Sequence, residues 1–75
     1  MKRAEIITDI ISRANAPLIS RKEAAKLTGG LMAEKTIANL DCLGEGPSEK
    51  IRIGKRVGYP TAIFAEWFAG QSKGI

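Results

Sequence analysis

Lys50, Arg52, Lys55 and Arg56 place four positive charges within seven residues, with no acid between them. Such a cluster suits contact with phosphates, or insertion into a minor groove whose narrow stretches carry an enhanced negative potential. Contacts of this kind position a protein on nucleic acid and carry no sequence information. Residues able to read bases lie upstream. At helical spacing, Lys35, Thr36 and Asn39 fall on one side while Ile37 and Leu40 fall on the other. Asn pairs bidentately with adenine, Lys donates to guanine, and Thr serves a base or a phosphate. A further pair of cations, Arg21 and Lys22, sits where a helix is expected to begin, beside backbone donors and a dipole end that favour a phosphate.

Each of these residues has a plainer reading. Lysines and arginines on a hairpin also guard an edge strand against pairing with another chain, although that role needs fewer charges. Asn39 is a poor helix former of the kind that often serves as an ordinary surface or capping residue. Phe64, Trp67 and Phe68, at helical spacing in a small domain, are expected in the core rather than as a stacking platform for single strands.

Other chemistry lacks its parts. The chain has no His, one Cys and no evident carboxylate pair set in a pocket, so it is expected to be no enzyme and to hold no cofactor or metal. Cys42 has no partner for an internal disulfide and is expected as a small packed or half-exposed side chain. Gly29 and Gly30 read as turn glycines and not as a phosphate cradle.

Twelve Lys and Arg against eight Asp and Glu leave a net charge of +4, which favours association with a polyanion without specifying one. The length of 75 residues suits one domain, and a chain this short buries only about 60% of the surface that it exposes unfolded. The longest uncharged run, Val57 to Ala65, falls well short of the roughly 20 residues of a membrane span. No apolar run follows Lys2 and Arg3, so no signal or transit peptide is expected. The single cysteine suits a reducing cytoplasm as the expected location.

The elements that must position the cations can be read from spacing. Ile6, Ile7, Ile10, Ile11 and Ala14 mark an amphipathic helix over residues 2 to 14, closed by Asn15-Ala16-Pro17. Ser20 and Glu23 have capping-box spacing, so a short helix is expected from about Arg21 to Leu27, ending at Thr28-Gly29-Gly30. A second short helix is expected from about Ala33 to Cys42, with Ile37 and Leu40 buried, before Gly44-Glu45-Gly46-Pro47 breaks the chain. Ile51-Arg52-Ile53, a turn at Gly54-Lys55-Arg56 and Val57-Gly58-Tyr59 read as a β-hairpin. Pro60 and Thr61 introduce a last helix ending near Gly70. This divides the chain into an N-terminal amphipathic helix (1–16), a helix-turn-helix with a basic hairpin (17–70) and a frayed tail (71–75).

Four segments, LISRKEAAKL, KTIANLDCLGEGP, IRIGKRVGYP and the helix ending in Glu66-Trp67-Phe68, follow one another in an order that resembles a known family. They are similar to the excisionase and AlpA-like regulators, small MerR-related proteins of prophages and mobile elements. The resemblance covers residues 18 to 68 and implies a mainly α fold with a small β-hairpin, a winged helix-turn-helix. It further implies double-stranded DNA as partner, with Lys35, Thr36 and Asn39 on the second helix and Lys55 and Arg56 on the wing in contact with it. Members of that family act at attachment sites or regulate integrase and prophage genes. Further copies of the chain on adjacent sites, or an integrase, are the implied protein partners. From Ala25 to Ile37 the chain is about two residues longer than a tight helix-turn-helix needs, and the N-terminal helix has no counterpart. The rival expectation is a protein-interaction module, an anti-regulator that presents the isoleucine face of that helix to a partner groove.

Overall fold

The computed structural model describes residues 2–71. The isoleucine spacing becomes helix α1 (Arg3–Ala14). Ile10 is buried, Ile6, Ile7 and Ala14 pack on the core, and Ile11 alone of the four isoleucines is exposed. Asn15 closes the helix in a left-handed conformation, φ 49°, with its N–H donating to the Ile11 carbonyl at 3.2 Å. Asn tolerates that conformation better than most residues because its short polar side chain bonds locally.

Helix α2 (Arg21–Leu27) starts at Ser20, whose hydroxyl accepts from the Glu23 N–H at 3.1 Å. This is the Ser20 half of the expected capping box, and the Glu23 side chain lies exposed. The helix ends at Thr28. There the hydroxyl donates to the Ala25 carbonyl at 2.7 Å and accepts from the Met32 N–H at 3.1 Å, tying both ends of the following turn. Within the turn Gly29 and Gly30 have φ of 69° and 87°, a region that costs other L-residues strain. Helix α3 (Glu34–Cys42) then begins, one residue later than expected, with Ala33 as N-cap.

Leu18–Ser20 forms a strand, β1, that the sequence reading did not foresee. With β2 (Ile51–Ile53) and β3 (Arg56–Pro60) it makes an antiparallel sheet in the order β1-β3-β2, so the expected hairpin is two-thirds of a three-stranded sheet. Arg56, expected in the turn, instead pairs with Ile53 as the first residue of β3. The turn is therefore Gly54-Lys55 alone, with Gly54 at φ 62°, as two-residue hairpin loops require when they match the twist of their strands.

Helix α4 (Thr61–Gly70) follows β3 directly. The Thr61 hydroxyl donates to the Ala16 carbonyl at 2.6 Å and its N–H donates to the Pro17 carbonyl at 2.9 Å, fastening the start of α4 to the link after α1. α1 packs along α4, and Ile10, Ile19, Ala24, Ile37, Tyr59, Phe64 and Ala65 form one core beneath all the elements except β2. Phe64 is its centre: the rings of Tyr59, Trp67 and Phe68 lie 5.9, 5.7 and 6.2 Å from it. Among the described residues the result is a mainly helical fold of four helices with a small three-stranded antiparallel sheet. No helix among the described residues is long and apolar enough to cross a membrane. Of the tail expected to fray, Gln71 caps α4 and residues 72–75 lie outside the described residues.

Candidate nucleic-acid interface

Helix α3 divides as its spacing implies. Ile37 is completely buried and Leu40 half-buried, while Lys35, Thr36 and Asn39 are exposed. Because residues three and four apart neighbour one another on a helix, these three side chains form one polar strip on the side away from the core. Lys22 is exposed on α2, and Lys50, Arg52, Lys55 and Arg56 are all exposed along the hairpin. Among the described residues the ion pairs are Arg13–Asp9 and Arg21–Asp41, so neither the hairpin cations nor Lys22 and Lys35 form an ion pair with an acid there.

Arg21 departs from the expectation. Its guanidinium turns into the molecule, where Nε donates to the Tyr59 hydroxyl at 3.0 Å and Nη2 donates to Asp41 Oδ2 at 2.6 Å. Tyr59 in turn donates to the same carboxylate oxygen at 2.5 Å. Two of its donor nitrogens are thus engaged internally, which ties α2 to α3 and β3. Burial disfavours the guanidinium charge, but the bonds to Tyr59 and Asp41 outweigh it and hold the group above its ordinary value. Burial, then the hydrogen bond to Asp41, push the Tyr59 hydroxyl up to about 12.

This closed triangle joins the first residue of α2, the last turn of α3 and the penultimate residue of β3. Among the described residues it makes the only side-chain hydrogen bonds between α2, α3 and the hairpin. Together with the core contacts of Ala24, Ile37 and Tyr59 it ties the helix carrying the polar strip to the basic hairpin. Gly46 packs against it so closely that a Cβ there would fall 2.0 Å from Asp41 Oδ1. An ordinary exposed carboxylate would swing away, but this one is held by two donors. The segment carrying Gly46 is fixed to α4 by the Trp67 indole, which donates to the Glu45 carbonyl at 2.9 Å.

Sequence reasoning missed Asp41, Tyr59 and Gly46 as positioning residues. A signal was present. Arg21 stands at a helix N-terminus and Asp41 near a helix C-terminus, each at the end where the macrodipole disfavours its charge. Two misplaced charges of opposite sign are a reason to look for a pair between them.

Cys42 is exposed and free. Among the described residues no cluster of His, Cys, Asp and Glu is arranged to hold a metal ion. No family model, no curated protein and no solved structure matches this chain.

Proposed function

We propose that the chain is a winged helix-turn-helix protein that binds double-stranded DNA sequence-specifically, with α3 as recognition helix and the β2–β3 hairpin as a basic wing. The observation that carries this reading is the hairpin itself: four exposed cations in seven residues, none paired with an acid among the described residues. Four unpaired charges exceed what guarding a three-residue edge strand needs. On α3, Asn39 and Lys35 are the residues for base edges, with Thr36 at a base or phosphate. Lys22, Lys50, Arg52, Lys55 and Arg56 take phosphates.

The segments that resemble excisionases and AlpA-like regulators support a role as a recombination directionality factor or as a transcriptional regulator of a prophage or mobile element. No catalytic role is part of this proposal. The chain would act in the cytoplasm on the nucleoid, with further copies on adjacent sites or an integrase as protein partners. The rival reading, docking through the isoleucine face of α1, loses support because Ile6, Ile7 and Ile10 pack inward.

The test is a gel-shift titration against duplex from the chain's own genomic neighbourhood, repeated across salt. Neutralising four to six phosphates predicts a log–log salt slope of about −4 to −5. The Lys55→Ala, Arg56→Ala double variant should weaken binding on every sequence and reduce that slope by about 2. No binding at low salt would end the DNA reading.

A further inference from the structure

The face of the sheet turned away from the core is apolar as well as basic. Pairing sets Leu18 opposite Pro60, Ile51 opposite Gly58 and Ile53 opposite Arg56. Alternation along the strands puts these residues on one face and Ile19, Val57 and buried Tyr59 on the other. Ile53 is 75% exposed, Leu18 52% and Ile51 37%. Gly58 in the central strand has no side chain to fill the space between Leu18 and Ile51, leaving a shallow groove of about 270 Å³. A side chain there is excluded because a Cβ would meet the Ile19 carbonyl at 2.8 Å.

From this we infer that Ile53, the last residue before the hairpin turn, is an apolar wedge that enters a DNA minor groove and unstacks a base step, with Ile51 behind it. The inference rests on the DNA-binding reading above. Its occupant follows from the charges around the isoleucine. Arg56 lies directly across from Ile53 on the same face and Lys55 stands in the turn beside it, so whatever meets Ile53 must be apolar at the contact and negative on both sides. A minor groove has that character, with phosphates along both rims, and isoleucine is among the side chains that proteins insert between base steps. A second copy of this chain has the wrong character, because it would set the same cations against themselves.

The experiment uses the full chain and a duplex carrying 2-aminopurine at a central TA step, the kind of step that unstacks most readily. Binding should raise the 2-aminopurine emission several-fold. Ile53→Ala should lose most of that rise and bind roughly three- to tenfold more weakly. Its salt slope should be unchanged, because no charge is removed. Ile53→Met should restore the rise, since methionine also serves as a wedge, and circular dichroism should show all three proteins folded. Binding with the full salt slope but no rise in emission overturns the wedge and leaves the DNA reading intact. So does a rise that persists in Ile53→Ala, which would turn attention to a protein partner for the Leu18–Ile51–Ile53 face. Absence of any binding at low salt removes the DNA reading, and the wedge with it.

Discussion

The α1–α4 layer and the β2–β3 hairpin use the same kinds of residue in opposite ways. In the helical layer the isoleucines and aromatics turn inward, and Ile10 and Phe64 are buried. In the hairpin two isoleucines and four cations all remain exposed. Ile51 and Ile53 are left in water on the strand pair, beside cations that could be buried only at high cost. The contrast separates residues that hold the fold from residues free to meet something else. Between the two regions stands the Arg21–Asp41–Tyr59 triangle, which belongs to the interior by its bonds and joins α2 and α3 to the hairpin.

The contrast is broken most severely at Phe64. Phe64→Ala removes the ring around which Tyr59, Trp67 and Phe68 are arranged and should cost about 3–5 kcal/mol. That is a large fraction of the stability of a domain this small, so the variant should be largely unfolded at room temperature in a urea titration followed by circular dichroism. Ile53→Ala in the same titration should lie within about 0.5 kcal/mol of the native chain, as surface substitutions do. Equal losses at the two positions would show the hairpin tip to be part of the core.

A smaller loss is expected at the triangle. Asp41→Ala leaves the Arg21 guanidinium and the Tyr59 hydroxyl without their shared acceptor, and breaking a partly buried pair from one side should cost about 2–4 kcal/mol. The same variant should bind DNA with less discrimination between sequences, because α3 and the hairpin lose their common tie. Undiminished discrimination by a folded Asp41→Ala protein would show that the helices alone set the angle.

The mildest effect concerns pH. Tyr59 is the only tyrosine in the chain, so phenolate absorbance reports it alone. Its hydroxyl should titrate near 12 in the folded protein, above the ordinary value of 10.0. A group whose folded value is raised contributes stability that is fully present below its unfolded value. That contribution should therefore be intact below pH 10 and decline as pH rises from 10 through about 12. A midpoint at the ordinary value would mean that the hydroxyl is not held by the triangle.

Local chemistry was enough to mark the helices. Isoleucine spacing, Ser20 ahead of Glu23, the glycines at 29 and 30 and the Pro60-Thr61 step act over a few residues, and each helix lies within a residue or so of where they place it. The same spacing separated Ile37 from Lys35, Thr36 and Asn39, because burial on a helix follows its period. Strand β1 was not legible, since three residues carry too little alternation to mark a strand and Leu18–Ser20 becomes one only by pairing with β3. Nor was the fate of Arg21, which reads in sequence like its neighbour Lys22. One is exposed and the other bonded inward because the fold brings Asp41, twenty residues on, to within 2.6 Å of it. Pairing across such distances depends on how the elements pack, and the misplaced charges of Arg21 and Asp41 point to a pair without saying which of the two adjacent cations makes it. The sequence by itself determined the helices, the turns and the charge of the hairpin; the tertiary structure decided which of the cations remained free.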